Sequence, residues 1–253
     1  MKPVDRTLPV LLMTATVTPD PAMSTLVRRN PTERFDEYLK SAAFYFPLIP
    51  QTFSAVIFAE NSGADLGAIE AIADRHDMRD RLTTLNVPPI DPEAGRSAGE
   101  AHIVRVAMGS VPALMTLDAH QQVWKVTGRY IVRNMKHLVA TAPTTDLYIN
   151  VRRRPHAWCD TYAYSFTRAG YGRYLEDATE AIRAGVGYTG EQTMSAHIET
   201  LIEAGEPITP RLRYEPRISG VRGRDGASYG SPTQRAKYMA RVIARHVKPG
   251  VWL

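Results

Sequence analysis

The sequence predicts an α/β protein with a mostly parallel central sheet flanked by helices. Residues 8–17 (LPVLLMTATV) and 52–59 (TFSAVIFA) are nearly continuous apolar runs, as expected of strands covered on both faces. Each empties into a polar loop and is followed by a stretch with helical patterning, and strand, loop, helix is the repeat unit of a parallel sheet. A third strand, Val123 to Val126, ends in the turn pair Thr127-Gly128 and repeats the pattern near the middle of the chain.

The first run gives way to Thr14-Ala15-Thr16 and then to Thr18-Pro19-Asp20-Pro21. Asn30-Pro31-Thr32-Glu33 opens a helix, with asparagine as cap, proline in the first position and a carboxylate in the first turn. Phe35, Leu39, Ala42, Ala43 and Phe46 are its expected apolar stripe, and Pro47 ends it. Glu60-Asn61-Ser62-Gly63 follows the second strand and leads into a helix over 64–76. Residues 81–87 form a weak short strand, and Pro88, Pro89 and Pro92 hold the loop 88–95 extended. A helix over 97–108 carries Ala101, Val104 and Met108 on one face. Beyond the middle strand come a short helix at 134–141, a strand at 146–152 and an alternating strand at 161–167. Helices at 170–184 and 191–204 flank a Gly185-Val186-Gly187 break. Residues 207–218 read as extended, 220–230 as a glycine- and arginine-rich loop, and 231–247 as a basic helix with Tyr238, Val242 and Ile243 on its apolar side. No repeat or boundary interrupts the chain, so 1–253 reads as a single domain.

A hydrophobic content of 44% with 23% charged residues suits a soluble globular chain, and no apolar run approaches the roughly 20 residues of a membrane span. The apolar start is too short for a signal peptide. Cys159 is the single cysteine, which excludes an internal disulfide and fits a reducing, cytoplasmic setting. The net charge of +5 permits a nucleotide, nucleic acid or membrane surface as partner without selecting one. The charge concentrates in Arg152-Arg153-Arg154 and in the tail from Arg211 to Lys248, where a merely solvated face is the plain alternative.

Two places could meet a phosphate. Arg129 brings a permanent, fork-shaped cation to the end of a buried strand, where open α/β sheets bind ligands. Gly95-Arg96-Ser97-Ala98-Gly99-Glu100 puts small residues and an arginine at a helix start, whose free N–H groups attract anions, although it matches neither G-x-G-x-x-G nor a P-loop.

In order along the chain stand Thr14-Ala15-Thr16, Asn30-Pro31-Thr32-Glu33-Arg34 to Leu39, Glu60-Asn61-Ser62, Ala98-Gly99-Glu100, Lys125 to Tyr130, and Pro216-Arg217-Ile218-Ser219-Gly220. This set resembles a group of bacterial glycosyltransferase-like proteins encoded in surface-polysaccharide gene clusters. Those share T-A-T, N-P-x-x-R-x-x-x-Y-L, E-N-S, G-x-G-E, K-[IV]-T-G-R-[YL] and P-R-I-x-G. The chain departs from them at Arg96-Ser97, where G-K-G-x-G-E is expected, and at Ala196, where an acidic residue is expected beside His197.

The resemblance implies a GT-A-like (Rossmann-like) nucleotide-diphospho-sugar transferase fold and transfer of a sugar from a nucleotide-sugar co-substrate to an acceptor hydroxyl. Residues 1–152 would form the donor half, and 153–253 the acceptor half with the basic C-terminal helix. Thr14, Ala15, Thr16, Glu60, Asn61, Ser62, Arg96, Gly99, Glu100, Lys125, Thr127, Gly128 and Tyr130 are the expected donor contacts. A departing nucleoside diphosphate gathers negative charge that a metal or fixed cations must meet. GT-A enzymes commonly hold a metal with Asp-x-Asp just after the fourth strand; Thr127-Gly128-Arg129 occupies that place here, and Asp118 precedes the strand. The expectation is therefore no Asp-x-Asp metal site, with Arg129 stabilising the leaving group beside Lys125 or Arg96. A divalent metal held by Asp160 or His197 stays open, although the seven histidines show no ligand spacing. An inverting transfer needs a base, for which Asp160, Glu191 and Glu199 are candidates. Arg152, Arg153, Arg154, Arg217 and Arg222 are expected on the acceptor side. A surface glycan, free or lipid-linked, is the first acceptor class, which places a cytoplasmic protein at the membrane periphery. DNA carrying a hydroxymethylated base, glycosylated by a phage-type enzyme, is the alternative, and a non-enzymatic nucleotide- or nucleic-acid-binding protein is the third.

Overall fold

The computed structural model describes residues 7–23, 26–184, 189–247 and 252, so the expected break at Gly185-Val186-Gly187 and the terminal Lys248 lie outside the described residues. The four strands expected in the first half are present as β1 (Val10–Ala15), β2 (Ala55–Glu60), β3 (Leu82–Asn86) and β4 (Gln122–Thr127). They lie side by side in the order β3-β2-β1-β4, all parallel. Short strands β5 (Ile131–Val132), β6 (Leu147–Tyr148), β7 (Val151–Arg152) and β8 (Trp158–Cys159) follow, then β9 (Ala163–Thr167) and β10 (Ile218–Ser219). β9 joins the far side of β4 in antiparallel sense and carries β6 at its own edge, completing a six-stranded, mostly parallel sheet flanked by helices.

Alternate residues of a strand point to opposite faces, and here both faces are covered. β1 sends Leu11, Met13 and Ala15 into the core under α1 (Pro31–Tyr45) and α2 (Gly67–Arg75), and Val10 and Leu12 into the core under α3 (Gly95–Ser110). β4 divides the same way, Trp124 and Val126 to the first core and Val123 to the second. In this register Thr14 lies opposite Thr127, and Thr14, Lys125 and Thr127 all fall on the α3 side. Burying a leucine such as Leu11 or Leu12, both fully enclosed, is worth roughly 1.5–3 kcal/mol, so a polar substitution there would disrupt the sheet.

α1 starts as its sequence demands, with the Asn30 side chain accepting from Glu33 N at 3.3 Å and Pro31 in the first turn. Its buried face is Arg34, Tyr38, Ser41, Ala42 and Tyr45; the expected Ala43 is exposed, and Phe35 and Leu39 pack only at the flank. The helix is turned toward its polar side because Arg34 and Tyr38 bind the backbone of Thr16. Arg34 Nε donates to Thr16 O at 2.8 Å, and Tyr38 Oη accepts from Thr16 N at 2.8 Å.

The strand expected over 146–152 is interrupted. β6 belongs to the main sheet, whereas β7 pairs with β8. Between them the backbone turns to the extended stretch that follows Glu206: Ile149 N donates to Thr209 O at 3.1 Å and Val151 N to Pro210 O at 3.0 Å. The helix expected over 170–184 is an α turn (Arg168–Gly170), a π turn (Tyr171–Leu175) and an α segment (Glu176–Arg183). Gly190–Glu203 opens with a capping box between Thr189 and Gln192. The helix Pro232–Val247 completes the described elements.

Candidate active site

The carboxyl ends of β1, β2 and β4 open on a cleft of about 810 Å³. Thr14, Ala15, Thr16, Asn61, Ser62, Arg96, Gly99, Glu100, Thr127, Arg129 and Tyr130, all singled out from the sequence, line it. So do Arg152, Asp160, Glu191 and Arg222 from the second half.

The loops after β1 and β2 are knitted to each other. Thr16 Oγ1 donates to Asn61 Oδ1 at 2.6 Å, and Thr18 N to Ser62 Oγ at 2.9 Å. Glu60, expected among the donor contacts, does not line the cleft. Fully buried, it accepts from Val17 N at 2.9 Å, Ser62 N at 2.8 Å and Ala64 N at 3.1 Å, and so shapes both loops from beneath.

Between β1, β4 and α3 sits a polar knot that follows from the strand register. Glu100 Oε1 accepts from Thr14 Oγ1 at 2.8 Å, Thr127 Oγ1 at 2.6 Å and Lys125 Nζ at 2.6 Å. Lys125 is itself enclosed and also donates to Thr161 O at 2.7 Å. Burial works to raise the Glu100 carboxyl, but the Lys125 charge and these three hydrogen bonds outweigh it and hold the group below the usual carboxylate range. Lys125 is thus consumed by Glu100 and stands behind the cleft wall. Gly128 follows because nothing larger fits: a Cβ there would meet Thr14 O at 2.8 Å and the Tyr38 ring at 3.3 Å.

Arg129 lines the cleft but is buried. Its Nη1 pairs with Glu37 Oε2 at 2.8 Å and donates to Val221 O at 3.2 Å, while its Nε is buried without a hydrogen-bond partner. Glu37 accepts from Arg28 as well. Tyr130 packs edge-on to Tyr229, 5.4 Å between ring centres, and Gly220 at φ +138° keeps the chain close beside it.

On the opposite wall Arg96 Nη2 donates to Glu191 Oε1 at 3.1 Å, joining the start of α3 to the start of Gly190–Glu203. Glu191 Oε2 is buried with no partner. α3 has no side-chain cap at its N-terminus, and Ser97 and Gly99 of its first turns face the cleft. Asp160 is fully buried, accepts from Asn150 Nδ2 at 2.7 Å and pairs with Arg152, whose Nε lacks a partner. Asn150 Oδ1 accepts from Arg245 at 2.7 Å, and Arg245 pairs with buried Glu215 at 2.7 Å.

Five other candidates, Arg153, Arg154, His197, Glu199 and Arg217, lie elsewhere. Glu199 is outside the cleft, where Arg153 holds it in two hydrogen bonds of 2.8 and 2.7 Å. Arg154 and Arg217 are exposed and do not line the cleft. His197 Nε2 donates to Tyr174 O at 2.7 Å, away from the cleft. Trp124 is core and Trp158 sits in the cleft wall. Sequence reasoning missed Glu37, Asn150 and Tyr229, whose partners are distant in the chain; Arg241 entered it only as one cation of the basic tail, and Arg34 only within the N-P-x-x-R pattern.

Thr127-Gly128-Arg129 stands at the end of β4, and Asp118 in the loop that enters β4, at the other end of the strand. Among the described residues no three His, Cys, Asp or Glu side chains converge as a metal site. Of the cleft carboxylates, Glu100, Asp160, Glu191 and Asp225 each already face a cation.

No protein-family model matches the chain, and no curated protein matches it significantly. Solved structures overlap it loosely. The glycosyltransferase GlyE of Streptococcus pneumoniae TIGR4 does so at 9% identity and TM-score 0.47 over 81% of this chain, which spans 45% of GlyE. The galactosyltransferase LgtC, with donor and acceptor sugar analogs, gives 9% identity and 0.45 over 75% of this chain and 70% of its own. A proposed nucleotide-diphospho-sugar transferase of Desulfovibrio desulfuricans G20 gives 12% and 0.46, over 94% and 96%. Overlaps of this size identify no relative, and the α/β class rests on the sheet order itself.

Proposed function

We propose that the chain is a glycosyltransferase that moves a sugar from a nucleotide-sugar donor to an acceptor hydroxyl. The observation that carries this is the convergence, in one cleft at the carboxyl ends of β1, β2 and β4, of Thr14–Thr16, Asn61–Ser62, the uncapped start of α3, Arg129 and a half-partnered carboxylate, Glu191. The first two loops take the nucleoside, and the α3 N-terminus with Arg96 and Arg129 takes the diphosphate. Arg152 and Arg222 border the acceptor, which we assign to the surface-glycan class.

In an inverting transfer the acceptor oxygen bonds to the anomeric carbon as the bond from that carbon to the diphosphate oxygen breaks. The hydroxyl proton passes to a base, and the leaving oxygen gathers charge. Glu191 suits the base best, since it lines the cleft with Arg96 as its one ion-pair partner among the described residues, whereas Asp160 is fully buried and committed to Arg152 and Asn150. Arg129 acts on the diphosphate through the part of its charge that Glu37 leaves uncompensated.

The charges that suggested DNA as acceptor divide: Arg154, Arg217, Arg224, Arg235 and Lys237 enter no ion pair among the described residues, while others are matched. Arg153 is paired with Glu199, Arg222 with Asp225, and Arg241 and Arg245 with Glu215. Calorimetric titration with UDP-, GDP-, CMP- and dTDP-sugars tests the proposal. One donor should bind, and silence across the panel from folded protein overturns it.

A further inference from the structure

The helix Pro232–Val247 has no buried residue. Of its side chains, Met239, Ile243 and Val247 are 52%, 56% and 70% exposed, and they recur every four residues, so they share one face. Ala236 and Ala240 widen the same face. Arg235, one turn before Met239, and Lys237 on the flank are exposed, and no ion pair among the described residues engages either. The opposite side is anchored: Arg245 donates to Glu215 and Asn150, each at 2.7 Å, and Gln234 and Arg241 line the cleft. Past the helix, Trp252 O accepts from Arg153 N and Arg154 N, both at 3.0 Å. The apolar face is therefore held outward by a polar seam, with cations beside it.

We propose that this helix lies on an anionic bilayer surface, sinking Met239, Ile243 and Val247 among the acyl chains while Arg235 and Lys237 meet lipid phosphates. No helix among the described residues is long and apolar enough to cross a membrane, so the contact is one of adsorption. A second copy of the chain fits the face less well. It would bring an equally basic surface, and three side chains fall well short of the roughly 800 Å² per partner of a stable interface. The helix separates lipid from cleft by one helix diameter, roughly 10–12 Å, which makes a lipid-borne acceptor the matching substrate class. That last step rests on the transferase proposal; the adsorption itself does not.

The test is co-sedimentation of the whole chain with vesicles of phosphatidylcholine containing about 30 mol % phosphatidylglycerol, against phosphatidylcholine alone. Binding should favour the anionic vesicles and weaken with salt. Met239→Asp/Ile243→Asp should lower it at least about tenfold, and Arg235→Glu/Lys237→Glu should remove the preference for anionic lipid. Sugar-nucleotide titration of both variants should match the parent, since none of the four side chains lines the cleft. Absence of vesicle binding, binding untouched by the aspartates, or a dimer that the aspartates dissolve each overturns the proposal. Donor binding without vesicle binding sinks the surface alone, and vesicle binding without donor binding sinks the transferase alone.

Discussion

Lys125→Met isolates the polar knot behind the cleft. The ammonium is 1% exposed and sits 2.6 Å from Glu100 Oε1, 2.7 Å from Thr161 O and 3.2 Å from Thr127 Oγ1. Methionine fills a similar volume but leaves the carboxylate without its cation. Removing one partner of a buried pair costs about 3–5 kcal/mol. The Glu100 side chain is 27% exposed, so water offsets part of the loss and the lower bound, about 3 kcal/mol, applies. In a chain of this size each kcal/mol moves the midpoint by about 2–4 °C, so Tm should fall by roughly 6–12 °C in scanning calorimetry. Adding Glu100→Gln should recover at least about 1 kcal/mol, because the amide oxygen still accepts from Thr14 and Thr127 without a stranded charge. A fall below about 2 °C, or a double variant worse than Lys125→Met, refutes the account.

The dependence on pH should change sign between parent and variant. In the parent Glu100 is held below its ordinary value. Its contribution is therefore present above the unfolded carboxyl value of about 4.3 and lost as pH falls through the folded value. Without Lys125 burial prevails and lifts the folded value above the unfolded one. Stability is then greatest below about pH 4.3 and declines as pH rises through the raised value. The Tm gap between the two proteins should narrow in acid and widen toward neutrality, and a gap constant with pH contradicts this.

Glu191→Gln should lower turnover about 10²-fold or more with donor affinity within a few-fold, and an active variant removes Glu191 as base. Arg129→Ala should raise the barrier by about 2–4 kcal/mol and, with Glu37 losing a partner, lower stability by about 1–3 kcal/mol; Arg129→Lys should stay impaired because a point charge does not replace the fork. Kinetics beside urea melts separate the two effects, and a fully active Arg129→Ala discounts its role. Gly128→Ala should lose about 1–3 kcal/mol by driving a Cβ into Thr14 O, measured as a shifted urea midpoint.

Where structure depends on neighbours along the chain, it was legible. The apolar runs 8–17 and 52–59 contain or nearly contain β1 and β2, and Asn30-Pro31 opened α1 on the residue expected. Where it depends on partners far away, it was not. The interruption of 146–152 comes from backbone bonds to Thr209 and Pro210, for which the strand's own residues carry no mark. The face of α1 was read by apolarity alone and missed that Arg34 and Tyr38 turn inward to hold Thr16.

Charge shows the same division more sharply. A sequence reports how many arginines there are, while partnership decides what each can do. The cleft is lined by seven arginines and six carboxylates, so the chain's net charge of +5 is not concentrated there. Most of those carboxylates that face the centre are already matched: Glu191 to Arg96, Asp160 to Arg152, Asp225 to Arg222. A near-balanced cleft attracts no anion by its overall field. It would hold a diphosphate only where donors stay both unmatched and reachable. The buried Nε atoms of Arg129 and Arg152 are not reachable, whereas the first turn of α3, which no side chain caps, offers such donors. Selectivity for a pyrophosphate over a single phosphate would then follow from the spacing of these donors, which no count of basic residues reveals.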